Sequence, residues 1–367
     1  MSGENWYKLG TVDDFKDPSL REIKINDKLT IALSFCDGKF GAISNICNHV
    51  GGPLGKGKLS EDYVVCPWHN WKFHRITGFG EPGFEDDRVP RYRLKIEKND
   101  LYIDLNPTTT RNKLPHPSHP ISREPVRTSG PIRVVGISTT IMDKQNPRYS
   151  TSEKLLKIAL KYAKNDLNCN TMLISLNDLN FKNCEGYYSK SAQACTWPCS
   201  ITQMDSNDQL DKVYEALVHW ADVIILSTPI RWGAASSLYY KMAERLNCIQ
   251  NQITVRNKIL IKNKIASFII TGGQDNVQDV AGHMLGFFAE LGFLFPQFPF
   301  IAHSRGWSAE DMENNISDVE NSSDLKEGAK DLARRSVEMA RMIIASDLVK
   351  QKIVLSGRKA RKIEMKK

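Results

Sequence analysis

Two domains of different class are expected: a small all-β domain over residues 1–105, then an α/β domain over 132–348 built on a doubly wound, five-stranded parallel sheet. Three observations point there. Short β-rich runs separated by turn residues fill the first hundred positions. Six prolines (Pro107, Pro115, Pro117, Pro120, Pro125 and Pro131) then fall within 25 residues that have almost no apolar spacing. From Ile132 onward, compact apolar runs alternate with amphipathic stretches, the pattern of parallel strands covered on both faces.

The elements follow in order. Thr30–Phe35, Lys39–Ile43, Tyr63–Cys66 and Tyr102–Leu105 read as strands of the first domain. Residues 106–131 read as a semi-extended linker. Ile132–Ile137, Met172–Leu176, Val223–Leu226, Ala266–Ile270 and Phe298–Ala302 supply five strands. The helices are expected near Glu153–Lys164, Asp208–Trp220, Ser236–Gln250, Val277–Leu291 and Asp324–Ala345. Strict alternation places any ligand at the carboxyl ends of the strands.

Composition excludes some classes. The chain is 41 % hydrophobic and 25 % charged, ordinary for a soluble protein. It has no apolar stretch long enough to span a membrane. The opening Met1-Ser-Gly-Glu-Asn-Trp lacks the basic and apolar regions of a signal peptide, so a cytoplasmic protein is expected. In that setting eight cysteines favour metal ligands and free thiols over disulfides. The net charge of +8 arises largely in a basic tail over 349–367, where eight Lys or Arg face one Glu. A solvated tail of this kind argues against nucleic acid as a partner.

Cys47-Asn48-His49 and Cys66-Pro67-Trp68-His69 form a Cys-x-His and a Cys-x-x-His pair, with 16 residues between them. Thiolate and imidazole bind soft and borderline metals, and each pair lies in a turn-rich stretch, so two loops can converge on one site. The residues admit a Cys2His2 zinc site or a two-iron cluster. Zinc fingers, however, keep like ligands together, whereas each loop here carries one of each kind. Gly51-Gly52-Pro53-Leu54 follows the first pair, Phe73 and Thr77-Gly78 the second, and Glu81-Pro82-Gly83 comes after them. With these flanks the region resembles the Rieske [2Fe–2S] family, in which two Cys hold one iron and two His the other. The resemblance implies Cys47, His49, Cys66 and His69 as ligands, with the histidines at the exposed end. The extra cysteines and the hydroxyls of respiratory-chain Rieske proteins are missing: Gly52, Trp68, Trp71 and Phe73 stand in those places. Fewer hydrogen bonds to sulfur imply a potential low in the Rieske range.

The strand-end loops suggest a second cofactor. Ser138-Thr139-Thr140 follows the first strand, and Ser150-Thr151-Ser152-Glu153 opens the next helix. Hydroxyls and free N–H groups at a helix N-terminus suit a phosphate dianion. Thr228-Pro229-Ile230-Arg231-Trp232-Gly233 and Thr271-Gly272-Gly273-Gln274 end the third and fourth strands. Over about residues 131–320 these loops resemble the flavodoxin-like NAD(P)H-dependent FMN reductases, including the iron–sulfur flavoproteins. The resemblance implies FMN, its phosphate near Ser138, Thr139, Ser150, Thr151 and Ser152. Its ring would be framed by Thr228, Pro229, Ile230, Arg231, Trp232, Gly233, Thr271, Gly272, Gly273 and Gln274. Eleven residues separate Ser138 from Ser150, more than in relatives, and Arg231 stands where they often have Tyr. No G-x-G-x-x-G fingerprint occurs, which leaves the choice of NADH or NADPH open.

Cys184, Cys195 and Cys199 lack the compact motif of the iron–sulfur flavoproteins and read as buried thiols or as ligands of a further cluster. Cys36, Cys169 and Cys248 read as packing residues. Together the two sites imply an oxidoreductase that takes hydride from NAD(P)H onto FMN and passes single electrons through the cluster. The acceptor would be a redox partner protein or a small molecule. A non-enzymatic electron carrier is the alternative. Analogy with flavodoxin-like reductases implies a homo-oligomer.

Overall fold

A computed structural model of the 367-residue chain describes residues 5–114, 118–272, 276–306 and 308–346. The basic tail, Gly273 and Gln274 lie outside the described residues. Two compact units emerge: Met1–Ser118 with Gly186–Ala194, and His119–Glu185 with Cys195–Lys367.

The first unit contains three antiparallel three-stranded sheets. β1 (Trp6–Thr11), β2 (Leu20–Lys24), β3 (Thr30–Cys36), β4 (Lys39–Ser44), β5 (Lys58–Ser60), β6 (Tyr63–Val65), β7 (Lys72–His74), β8 (Leu94–Glu97) and β9 (Asp100–Asp104) pair as β1-β9-β8, β2-β3-β4 and β5-β6-β7. Asp37-Gly38 closes the β3–β4 hairpin with both residues at positive φ, as a two-residue primed turn requires. β3 lies between two apolar clusters and serves both by alternation. Ala32 packs with Ile43, Leu54, Val64 and Phe73, whereas Ile31 and Leu33 pack with Ala42, Leu101 and Ile103. The first cluster also contains Cys47 and Cys66.

The second unit is the α/β domain. Its parallel sheet runs β11-β10-β12-β14-β15, formed by β10 (Arg133–Ser138), β11 (Asn170–Ser175), β12 (Val223–Arg231), β14 (Ile265–Gly272) and β15 (Phe300–Ser304). This is the doubly wound order of flavodoxins. The two-residue β13 (Ala234–Ala235) folds back on β12. The helices are α1 (Thr151–Asn165), α3 (Ser200–Met204), α4 (Asp211–Tyr214), α5 (Ser237–Arg256), α6 (Val277–Leu291), α7 (Ala309–Asn321) and α8 (Ser323–Ala345), while α2 (Tyr187–Lys190) belongs to the first unit. α1 lies close on β10 because Gly136 has no side chain: a Cβ there would stand 2.6 Å from Leu160 Cδ1.

Differences from the sequence expectations have physical causes. The stretch expected as a linker, 106–131, contains the boundary between the two units at Ser118 and His119, and the described residues on either side of it are tied down. Asn112 exchanges two backbone hydrogen bonds with Arg88, so this segment pairs with the first unit, and Ile121 is buried in the second. The helix expected over Asp208–Trp220 is α4 followed by six residues of wider π-type turn, Glu215–Trp220. α7 was not expected as a separate helix. Ser308 caps it in a reciprocal box with Asp311.

Candidate metal centre and flavin site

The two ligand loops are held by local backbone bonds before any metal is considered. After β4, Cys47 N–H donates to Gly52 O (2.9 Å) and Gly51 N–H to Cys47 O (3.1 Å). Between β6 and β7, Cys66 N–H donates to Trp71 O (2.8 Å) and Asn70 N–H to Cys66 O (3.1 Å). Gly51 and Asn70 take the positive φ these turns need. Gly52 is required by close approach, since a Cβ there would stand 2.8 Å from Cys66 Sγ.

A third wall comes from residues the sequence reading left unassigned. Asn48 is buried and donates through Nδ2 to Asp87 Oδ1 (2.6 Å), Arg88 O (3.1 Å) and Asn112 O (3.0 Å). Arg111 donates to Ile46 O (2.9 Å) and Ser44 Oγ (2.8 Å), and Lys113 Nζ to His49 O (2.9 Å). The asparagine inside Cys-x-His was the available signal, because a buried amide needs partners.

The four candidate ligands meet as two like pairs. Cys47 and Cys66 are buried side by side, with the Cys47 thiol donating to Cys66. That hydrogen bond lowers Cys66 to about 7 and pushes Cys47 up, as expected for two thiols sharing one negative charge. The rings of His49 and His69 lie 4.5 Å apart at 75°. Both rings are engaged elsewhere: His49 stacks on Trp71, and His69 Nε2 lies 2.9 Å from Ala194 O. Their buried Nδ1 atoms are the ones that make no hydrogen bond among the described residues. A thiol pair beside an imidazole pair with two available Nδ1 atoms fits a two-iron cluster with chemically different ends. Among the described residues no three His, Cys, Asp or Glu side chains converge on one point as a single metal ion would need. One expectation is corrected here: His69 is 5 % exposed, so it does not stand at a solvent-facing end.

In the α/β domain, parallel register lines up Ser138 with Ser227 and Thr228 with Ile270, so the ends of β10, β12 and β14 are neighbours. Thr140 Oγ1, Ser150 Oγ and Ser152 Oγ form a triangle with edges of 2.7, 3.3 and 3.3 Å at the N-terminus of α1. Thr151 Oγ1 meets Thr271 Oγ1 at 2.6 Å, tying that helix end to β14. Tyr149 OH and Ser227 Oγ are buried with no hydrogen-bond partner among the described residues. This hydroxyl-rich helix start fits a phosphate monoester.

Other expected flavin residues are committed within the protein. Ser138 Oγ donates to Glu153 Oε2 (2.8 Å), and Ser236 Oγ donates to Thr139 O (2.7 Å) and meets Thr139 Oγ1 at 2.9 Å. Pro229 and Ile230 end β12, and Arg231 and Trp232 are exposed. Trp232 and Gly233 form the positive-φ tip of the β12–β13 hairpin, where Asn276 Nδ2 donates to Gly233 O (2.6 Å). Gly272 ends β14. Thr140, Ser236 and Asn276 were missed as site residues. Thr140 adjoins the expected pair Ser138-Thr139, so its position was within reach of the sequence.

The remaining thiols gather differently from the expectation. Cys184 is exposed, whereas Cys199 and Cys248 are buried together, and Asn247 Nδ2 donates to Cys195 Sγ (3.6 Å). Cys248 hydrogen-bonds Cys199, and Arg245 Nε donates to Cys199 Sγ at 3.1 Å. These contacts hold Cys199 down to about 5, while burial pushes Cys195 up to about 11. Cys248 is buried in the core, as expected of a packing residue, with Cys199 beside it.

Paired thiols beside paired imidazoles, and a hydroxyl-lined helix start beneath the carboxyl ends of a parallel sheet, define a redox protein with an iron–sulfur and a flavin domain. Residues 5–91 match the Rieske [2Fe-2S] domain family, and residues 133–307 match the NADPH-dependent FMN reductase family. The chain is a fusion of these two domains, with a [2Fe–2S] cluster, FMN and NAD(P)H as its cofactors. It is 35 % identical over 94 residues to human apoptosis-inducing factor 3, covering 25 % of this chain and 15 % of that protein. It is 28 % identical over 69 residues to the oxygenase component of 3-ketosteroid-9-alpha-monooxygenase from Rhodococcus rhodochrous, covering 19 % and 18 %. The chain thus spans less than a fifth of the length of these curated relatives. The crystal structure of RosB with bound 8-demethyl-8-formylriboflavin-5'-phosphate superposes with a TM-score of 0.46 at 18 % identity, covering 63 % of this chain and 87 % of that one. Among the described residues no helix is long and apolar enough to cross a membrane.

Proposed function

We propose that this oxidoreductase takes hydride from NAD(P)H onto FMN and releases electrons one at a time through the [2Fe–2S] cluster to a protein or small-molecule acceptor. Hydride supplies two electrons and a [2Fe–2S] cluster accepts one; flavin chemistry joins the two. The observation that carries the reading is the presence in one chain of the Cys47/Cys66 and His49/His69 pairs and the hydroxyl triangle at α1. Cys47, Cys66, His49 and His69 would hold the irons. Thr140, Ser150 and Ser152 would hold the flavin phosphate, with the loops after β12 and β14 about the ring. The reading includes a cytoplasmic location and a homo-oligomeric assembly.

An anaerobic titration tests it. Stoichiometric NADH or NADPH is expected to bleach the flavin band within seconds and then develop the EPR signal of a reduced Rieske cluster. If neither nucleotide bleaches the flavin, the reductase reading fails and a carrier reading takes its place. Thr140→Val and Ser152→Ala each remove a hydroxyl that would meet a charged phosphate. Each is expected to weaken FMN binding about tenfold or more, from roughly 1.5–3 kcal/mol per charge-assisted bond. Flavin fluorescence quenching on reconstitution measures it.

A further inference from the structure

β11 is an edge strand of the parallel sheet and pairs with β10 alone among the described residues. Asn170 N–H donates to Ile132 O at 2.9 Å, and main-chain groups alternate along a parallel strand. Thr171 and Leu173 therefore turn their N–H and C=O groups toward the open edge. Such an edge templates pairing with another chain, and folded proteins usually blunt it with a charge, a proline or a bulge. Asn170–Ser175 has none of these: it reads Asn-Thr-Met-Leu-Ile-Ser, in unbroken register with β10. Met172 is 38 % exposed and Leu173 41 %, one on each face of the strand. Leu179 and Trp220 extend this apolar surface along the groove beside it.

The strand is complementary to itself. When two β11 edges lie antiparallel about a two-fold axis through Leu173, its outward N–H and C=O exchange both bonds with Leu173 of the second copy. Met172 then stands opposite Ile174, and Thr171 opposite Ser175. An apolar pair and a hydroxyl pair of this kind each stabilise an antiparallel sheet. Charge fits the same arrangement. Arg341 is exposed at the start of the strand, where its Nη2 donates to Leu167 O (2.6 Å), and the exposed Asp178 follows its end. Antiparallel pairing brings these two unlike charges together, whereas a parallel one would set like beside like.

We propose that the β11 edge is occupied by the β11 edge of a second copy of this chain, so that two α/β domains join their sheets across a two-fold axis. The contact uses both open β11 edges, so it closes at two copies and does not grow into a fibre. It gives the homo-oligomer a surface and a register, and it needs neither the cluster nor the flavin.

Analytical ultracentrifugation of the purified full chain at micromolar concentration tests the pairing. The native chain is expected to sediment as a dimer or a multiple of one. Leu173→Lys sets two like charges on the axis and removes two apolar contacts. It is expected to raise the dissociation constant at least about tenfold. Thr171→Pro removes one outward N–H, keeps the bonds to β10, and is expected to weaken the dimer in the same direction. Cross-linking reads the register without relying on either variant. Leu173→Cys is expected to form a disulfide with its own copy under mild oxidation, because a hydrogen-bonded antiparallel pair holds its Cα atoms about 5.5 Å apart. Thr171→Cys is expected to stay at the background of the native chain, since each Thr171 faces Ser175. A monomeric native chain, a dimer that Leu173→Lys leaves intact, or a Leu173→Cys chain that links no faster than the Thr171→Cys chain overturns the proposal. None of these readouts involves iron, flavin or nicotinamide, so the redox reading stands or falls separately.

Discussion

Cys66→Ser is expected to yield protein with iron at background level and no Rieske EPR signal, while FMN stays bound. Cys66 is fully buried in the apolar cluster formed by Ala32, Ile43, Val64 and Phe73. A serine hydroxyl there is a hard and barely ionised donor, unable to replace a thiolate toward iron. Cys47 lies in the same cluster, so Cys66→Ser leaves one thiolate where a Rieske-type centre uses two. FMN is expected to survive because the flavin-binding elements belong to a separate compact unit. Cys36→Ser is the control, since that half-buried thiol lies beside Asp37 and outside the cluster of ligands. Iron analysis and EPR read the result, and a Cys66→Ser protein that keeps its iron would sink the ligand assignment.

Arg245→Met is expected to cost about 3–5 kcal/mol of stability, because it leaves a buried carboxylate without its counter-ion. Arg245 and Asp208 both have fully buried side chains, joined at 2.6 Å. The same guanidinium donates to Lys182 O (2.8 Å), Thr202 Oγ1 (2.9 Å) and Cys199 Sγ (3.1 Å). One α5 side chain thus fastens the long connection after β11 to the body of the α/β domain. Exchanging both charges, as Arg245→Met with Asp208→Leu, is expected to recover much of the loss, since no buried charge then remains unmatched. Urea unfolding followed by circular dichroism measures both variants. A single variant within about 0.5 kcal/mol of the native chain would show that the pair is not needed for stability.

Much of the fold could be read along the chain because its signals are local. Val223–Leu226 is apolar on both faces and Ala266–Ile270 is so except at Ser267, which meets Ser336 Oγ at 3.0 Å; such runs suit covered parallel strands, and both lie inside central strands of the sheet. Ser150 is a sequence-visible cap, and its hydroxyl accepts from Glu153 N–H at the start of α1. Strands β5 and β7 were not legible, being three residues long and specified by their neighbours. The wall around the ligand loops was equally hidden. Asn48 meets Asn112 across 64 positions, and Arg111 meets Ser44 across 67.

By itself the sequence determined the ligand types and their spacing, two Cys and two His in matched halves, because coordination chemistry depends on which atoms a short loop can offer. It also determined the order of the five parallel strands of the α/β sheet, since hydrophobic periodicity is local. Tertiary structure alone decided how each ligand is surrounded. It buried the two thiols together, gave His49 and His69 unlike neighbours, and brought Ala194 to His69 across 125 positions. Burial and long-range hydrogen bonds depend on how distant segments pack, and no window of sequence contains that.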